Sequence, residues 1–288
     1  MVSICIPAYN QPKFLKKTLN SIFIQDFKDY EIIISDDSNN DDIKKLINTY
    51  PQEKIKYFKN SPSFGSPRNW NESIKKATGK YIKILHHDDW FSKPYSLSKF
   101  VNTIESRNNV SIVFSGSLIH NANLDNDTRF VQSEKKIKDI IKDKNILLTS
   151  NLLGAPSATL FKQTTLRFDE KLKWLVDIDF YIQIINKNNF LYISEPLIAT
   201  TDGANHQVTN KCKNMEIELK EWFYMFNKHR PGRFNVREIV YLFKIMYKYK
   251  VSSIQEVEKI YTNIPNKTIV SYIILIGKVL RKIYEKNS

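Results

Sequence analysis

Residues 66–91 read SPRNWNESIKKATGKYIKILHHDDWF. Pro67 stands where a first helical turn has no N–H to lose, and Gly79 stands where a helix ends. The spacing predicts a helix over Pro67–Thr78. Lys80–Leu85 then reads as a strand, and it runs directly into His86, His87, Asp88 and Asp89. Helix, strand and polar cluster form a unit of an open α/β sheet, whose ligand groups gather at the carboxyl ends of the strands.

The same unit recurs outward from this stretch. Val2–Ile6 is a short apolar run stopped by Pro7 and followed by Tyr9 and Asn10. Pro12–Asp26 carries Phe14, Leu15, Thr18, Leu19, Ile22 and Phe23 on one helical face. Glu31–Ser35 is a second apolar run and ends in Asp36, Asp37 and Ser38. Asp41–Tyr50 reads as a helix, and Ile55–Lys59 and Val110–Ser115 read as strands. Nearly continuous apolar runs of this kind suit strands covered on both faces. The expected fold is α/β: a mostly parallel, Rossmann-like sheet with right-handed crossovers, flanked by helices.

Residues 116–150 are polar, with SEKKIKDIIKDKN at 133–145, and read as a surface insertion with one short helix. Ser157–Phe161 and Phe190–Ile198 read as later strands, with a helix over Val176–Asn186 between them. From about residue 212 the pattern is helical, aromatic and Lys-rich. The expected division is an α/β domain over 1–210 and a basic helical extension over 211–288.

Composition narrows the function classes. The chain has 288 residues, 42% of them apolar, with Gly 7 and Pro 10, so collagen-like and low-complexity chains are excluded. Two cysteines, Cys5 and Cys212, are too few for a disulfide framework or a Cys-rich metal site. The start MVSICIPAYN does not read as a signal peptide, and the longest strongly apolar run, Ile269–Ile276, is far too short to span a bilayer. A cytoplasmic chain, with a peripheral seat on the inner membrane face as an option, is expected. Net charge is +14, and residues 211–288 hold sixteen basic residues against seven acidic. That net of +9 leaves only +5 for the first 210 residues. Such asymmetry suits an anionic partner. The basic residues lie among core-spaced aromatics with no nucleic-acid recognition motif, so nucleic acid is not expected.

The polar clusters carry chemistry. Adjacent carboxylates such as Asp88 and Asp89 repel unless a cation or donors neutralise them, and carboxylate oxygens suit Mg²⁺ or Mn²⁺, especially beside a diphosphate. Asp36 and Asp37 can accept hydrogen bonds from a base or ribose or simply cap the next helix, and Tyr9 can stack on a base. No G-x-G-x-x-G or Walker loop occurs, so metal and basic side chains such as Arg68 must hold any phosphates. Asp177 and Asp179, in WLVDIDFYIQI at 174–184, point different ways on a helix. One can face a cleft as a general base while the other pairs elsewhere.

Together, VSICIPAYN (2–10), EIIISDDSNND (31–41), SPRNWNESIKKATGKYIKILHHDDWF and WLVDIDFYIQI resemble family 2 glycosyltransferases of the GT-A fold. The resemblance covers about residues 1–205 and rests on the four segments occurring in order. It implies inverting transfer of a sugar from a nucleotide-sugar to an acceptor hydroxyl, with Mn²⁺ or Mg²⁺ as cofactor. Position by position, it implies that Pro7, Tyr9 and Asn10 contact the nucleotide. Asp36, with Asp37 beside it, binds the base, and Arg68 belongs to the segment covering the nucleotide. His87, Asp88 and Asp89 occupy the D-x-D region, with His86 where the usual motif has its first acid. Asp88 is then the expected metal ligand, with Asp89 and His206, in DGANHQVT at 202–209, as further ones. Asp177 matches the base.

The expected partners are a UDP-sugar donor, a glycan or lipid-linked acceptor in bacterial surface-glycan synthesis, an anionic membrane surface and a second copy of the chain. A nucleotidyltransferase would want a glycine-rich basic loop after the first strand, which PAYNQPKF at 7–14 does not supply. A non-catalytic relative that only binds a glycan or a membrane is the remaining alternative. The segment TIVSYIILIGKVLRKIYE, 268–285, places Ile269, Tyr272, Ile273, Ile276, Val279, Leu280 and Ile283 at helical spacing beside Lys278, Arg281 and Lys282. That stripe fits a membrane interface, the protein's own core or a second subunit.

Overall fold

A computed structural model describes residues 1–121, 126–185, 189–203 and 212–287. Alternation of side chains about each strand builds the core. In β1 (Val2–Ala8), Val2, Ile4 and Ile6 face one layer while Cys5 faces the other. In β2 (Tyr30–Asp36), Ile32 and Ile34 share the first layer and Ile33 the second. Both faces of these strands are therefore covered.

The first layer is made by α1 (Pro12–Phe23), through Leu15, Leu19 and Ile22, and by α4 (Ser96–Glu105), through Leu97, Phe100 and Ile104. Between α1 and α4 come α2 (Asp42–Ile47), β3 (Ile55–Lys59), α3 (Arg68–Lys75), β4 (Tyr81–Ile84) and the short β5 (Trp90–Phe91). Pro67 immediately precedes α3 as expected, but the helix ends at Lys75, four residues short of Gly79. A Cβ on Gly79 would lie 2.7 Å from the Ser3 backbone nitrogen, so only glycine lets the chain turn this close to β1.

Among the described residues, nine strands form one sheet in the order β3-β2-β1-β4-β8-β6-β9-β5, with β7 paired to β6. The run β3-β2-β1-β4 is parallel. β8 (Thr159–Lys162) is antiparallel to both neighbours, β4 and β6 (Ile112–Asn121). β9 (Phe190–Asp202) is parallel to β6, and β5 lies antiparallel on β9. The fold is α/β as expected, and the antiparallel pairings belong to its second half.

The reading of residues 116–150 needs correction. β6 continues to Asn121 and pairs with β7 (Asn126–Phe130) in a hairpin. After α5 (Glu134–Lys142), Ile146, Leu147 and Leu148 are buried in the core. The polar composition hides a short core-forming segment. The Ser96–Glu105 helix was not anticipated either, although Leu97, Phe100, Val101 and Ile104 follow helical spacing.

The second layer is formed by α3, by α6 (Val176–Ile184) and by α7 (Met215–His229). Leu219, Trp222, Phe223, Met225 and Phe226 of α7 are fully buried, and the Trp222 Nε1–H donates to the Leu148 carbonyl at 3.1 Å. Three more helices complete the extension: α8 (Val236–Lys248), α9 (Ile254–Ile260) and α10 (Lys267–Asn287). α8 opens with a capping box between Asn235 and Glu238. α10 packs on α8 and α9, with Val270, Ile273, Ile274 and Gly277 buried and Gly277 facing Phe243 of α8. Of the apolar stripe read from the sequence, Tyr272, Ile276, Val279, Leu280 and Ile283 face outward instead. No helix of the described residues is long and apolar enough to cross a membrane.

Candidate active site

β4 delivers its chain into a tight turn, His86–Asp89, beside the carboxyl end of β1. Three anchors hold that turn. The His87 Nδ1 donates to the Pro7 carbonyl at 3.1 Å. The Thr18 hydroxyl of α1 lies 2.8 Å from the carbonyls of both His87 and Asp89. At the end of β9, the Thr201 hydroxyl donates to the Asp88 carbonyl at 2.5 Å, and the Thr201 N–H donates to Asp89 Oδ1 at 3.2 Å.

His86, Asp88 and Asp89 each offer a ligand atom, and these atoms lie within 4.8 Å of one another. Burial, with smaller pushes from His87 and Lys83, lowers His86 to about 4, which keeps its imidazole neutral and fit to ligate. Its Nε2 is buried without a hydrogen-bond partner. Burial and then the neighbouring Asp88 push Asp89 well above the usual carboxylate range. Two crowded acids beside an unsatisfied imidazole nitrogen form a donor set that suits a divalent cation.

Beneath the turn lies Lys83, fully buried in β4. Its Nζ donates to the carbonyls of Ser157 and Thr159, and burial holds it well below its ordinary value. The sequence reading passed over this residue, although a lysine inside a near-continuous apolar strand was a visible signal.

The ends of β1 and β2 lie side by side, with Ala8 opposite Asp36. Tyr9 projects at 52% exposure. Asn10 takes a left-handed backbone, φ 48°, that lets its N–H donate to Ser38 Oγ at 2.8 Å. Its Oδ1 is buried and has no partner. Asp36 is fully buried; it accepts from the Ser38 N–H and Tyr57 hydroxyl at 2.8 Å and from Lys59 Nζ at 3.2 Å. Asp37 accepts from Asn60 Nδ2 and the Phe64 and Gly65 N–H groups at 2.8, 3.1 and 2.7 Å. The two acids thus organise the strand end and the following loop, and Asp36 has no open face toward solvent. Arg68 is exposed, its guanidinium 4.5 Å from the Phe64 ring centroid.

Asp177 and Asp179 divide as their spacing suggests. Asp179 is fully buried and accepts from Lys228 Nζ at 2.8 Å, His229 Nε2 at 2.6 Å and Gln183 Nε2 at 2.6 Å. Asp177 is half-buried and bonds Asn151 Nδ2 at 2.9 Å. Burial pushes its carboxyl up to about 6, where a general base works near neutral pH.

The segment that ends in α6 is held from the extension. The Glu221 carboxylate of α7, 5% exposed, accepts the N–H groups of Lys173, Trp174 and Leu175 at 2.7, 2.9 and 2.9 Å. Those donors immediately precede α6, so Glu221 anchors the entry into that helix from another one.

One short stretch of chain joins the two acidic sites. Asn151 bonds Asp177, Gly154 accepts from the Tyr181 hydroxyl at 3.0 Å, and the Ser157 hydroxyl accepts from the His86 N–H at 3.0 Å. Asn151–Ser157 therefore touches the candidate base at one end and the His-Asp-Asp group at the other. Asn151, Ser157, Thr201 and Glu221 escaped the sequence reading, because their pairings span 26–113 residues. His206 lies outside the described residues.

Comparison with known proteins gives a concordant picture. The family model described as glycosyl transferase family 2 matches residues 3–166. An uncharacterised glycosyltransferase of Methanocaldococcus jannaschii is 28% identical over 254 residues, 86% of this chain and 85% of that protein. An Escherichia coli UDP-Glc:alpha-D-GlcNAc-diphosphoundecaprenol beta-1,3-glucosyltransferase is 35% identical over 117 residues, 41% of this chain and 45% of that protein. Among solved structures, S. aureus TarS 1–349 in complex with UDP-GlcNAc superposes with a TM-score of 0.64 at 14% identity, covering 98% of this chain and 91% of that one. A mannosyltransferase from Pyrobaculum calidifontis in complex with GDP-Man and Mn²⁺ gives 0.56 at 13%, covering 91% and 73%. The fold is the GT-A fold with a C-terminal helical extension, and with a family match over more than half its length the chain belongs to glycosyl transferase family 2.

Proposed function

We propose that the protein transfers a sugar from a UDP-sugar to a hydroxyl of a lipid-linked glycan, with inversion at the anomeric carbon. The observation that carries this reading is the Asn151–Ser157 bridge, which puts a carboxyl raised to about 6 and a His-Asp-Asp group on one stretch of chain. Asp177 takes the proton of the acceptor hydroxyl as that oxygen attacks the anomeric carbon. The bond from that carbon to the UDP oxygen breaks, and UDP leaves from the opposite face. One displacement inverts the centre.

The donor binds across the ends of β1 and β2. Tyr9 stacks on the base, the open Asn10 Oδ1 accepts from the nucleotide, and Pro7 shapes the strand end. Asp36 acts through Ser38 and Lys59 rather than by touching the base, and Asp37 holds the loop that carries Arg68 toward the phosphates. His86, Asp88 and Asp89 would hold Mn²⁺ or Mg²⁺, which when bound would supply Lewis-acid stabilisation to the leaving diphosphate. His87 steadies this turn from Pro7, and His206 is proposed as a further contact.

The UDP class and the lipid-linked acceptor draw support from what the E. coli relative is named for and from the UDP-GlcNAc bound in TarS. The test is UDP release from a panel of UDP-sugars with Mn²⁺, Mg²⁺ or chelator, using a GlcNAc-diphospho-lipid acceptor. Metal-dependent release with a product of inverted configuration, read from proton couplings by NMR, is expected. Release from no donor with either metal, or retained configuration, refutes the proposal.

A further inference from the structure

Helix α10 is apolar on two opposite faces. One face is spent inside the protein: Val270, Ile273, Ile274 and Gly277 are buried, and the helix contacts α8 and α9. Arg281, on the same side, donates to the Val251 carbonyl at 2.9 Å and ties the helix down. On the other face Tyr272, Leu275, Ile276, Val279 and Ile283 are 49–62% exposed. At about 100° per residue these five fall within one arc of about 100°, which is a continuous stripe. Stripes this large and apolar on a protein surface mark a contact.

Charge decides between occupants. Along α10, Lys267 pairs with Glu258 at 2.6 Å and Arg281 faces inward, which leaves Lys278, Lys282 and Lys286 of the sequence against Glu285. The extension it belongs to carries a net charge of +9. Lys278 is exposed beside the stripe. A symmetric contact between two copies would set one such field against another, whereas an anionic bilayer complements it. The helix cannot cross a membrane. Its inward face is already packed, so it meets a surface as a formed element and pays no folding entropy on binding.

We propose that this face of α10 docks on an anionic lipid bilayer. The helix lies in the plane of the surface, with the stripe at the boundary between headgroups and acyl chains and Lys278 among the headgroups. The proposal is independent of the sugar-transfer reading.

The test is co-sedimentation of the full-length protein with vesicles of equal parts phosphatidylglycerol and phosphatidylcholine, against phosphatidylcholine alone, at low and high salt. Binding to the anionic vesicles only, weakened by salt, is expected. The triple variant Leu275→Gln/Ile276→Gln/Val279→Gln should bind about 100-fold more weakly, from half-buried side chains at three positions. Lys278→Gln should lose about fivefold. Melting temperature and UDP release in solution should stay at wild type in both, which separates docking from catalysis. If the triple variant melts early, Tyr272→Ser carries the same comparison from the most exposed position. Absence of binding by the wild type overturns the proposal. So does wild-type binding by the variants, or a dimer in solution that the triple variant converts to monomer.

Discussion

Replacing Glu221 by Ala removes one buried acceptor and strands the three N–H groups that precede the Asp177 helix. A buried donor left unsatisfied costs about 1–3 kcal/mol. Lys173 is exposed, so its N–H recovers a water, while Leu175 is buried and Trp174 partly so. Counting two stranded donors, with some loss of packing by α7, gives about 3–5 kcal/mol. For a chain of this size that lowers melting by about 6–10 °C. Glu221→Gln keeps the shape and one acceptor oxygen but turns an amide N–H toward the remaining donors, so about 1–3 kcal/mol is expected. The effect on turnover separates this anchoring from general support. Asp177 lies two residues beyond the last N–H that Glu221 holds, whereas the strand ends proposed to bind the donor lie in the parallel half of the sheet. Well below melting, kcat should fall more than about tenfold, the scale of a lost positioning interaction, while KM for the UDP-sugar stays at wild type. Scanning fluorimetry and initial-rate kinetics on both variants give the readout. A Glu221→Ala protein that melts within about 1 °C of wild type, or keeps its kcat, refutes the reasoning.

Asp177→Asn should lower kcat by about 10²–10⁴-fold with UDP-sugar affinity unchanged; loss of affinity instead would move Asp177 to donor binding. Wild-type kcat should decline on acidification through about 6, a limb that the variant lacks. Because the folded pKa lies above the ordinary 3.8, Asp177 contributes stability that is full below 3.8 and is lost as pH rises through about 6. The Asn variant should therefore melt above wild type at pH ~8, with the gap closing in acid; an unchanged gap at low pH contradicts the burial argument. Asp88→Ala should abolish Mn²⁺-dependent UDP release and leave melting near wild type, since it relieves the crowding that raises Asp89; retained turnover contradicts the ligand assignment. Tyr9→Ala should weaken UDP binding about 3- to 10-fold by calorimetry, the worth of one stacked ring, and unchanged affinity would remove Tyr9 from the base pocket.

Local rules carried the parallel half of the fold. β1, β2 and β4 announce themselves as apolar runs, and Pro67 marks the start of α3, because those signals act within a few residues. The polar residues at the three strand ends, with acids at those of β2 and β4, were legible for the same reason. The opposite fates of Asp177 and Asp179 followed from helical spacing alone, but the partners of Asp179 did not: Lys228 and His229 lie about fifty residues onward. Residues 144–149 misled because a polar surround masked Ile146, Leu147 and Leu148, which enter the core in a single short turn with no periodicity to read. Glu221 sits in the apolar run EWFYMF, where an acid buried among aromatics was the available clue.

The Glu221 anchor ahead of α6 also has a consequence in time. Glu221 is synthesised 44 residues after Asp177, and His229 later still. At ribosomal rates that is a delay of about 2–9 s, during which the strand ends of the first half have already left the ribosome. A growing chain thus passes through a stage with the ends of β1, β2 and β4 made and the Asp177 segment not yet clamped. The last quarter of the polypeptide sets the moment at which the two halves of the site can act together.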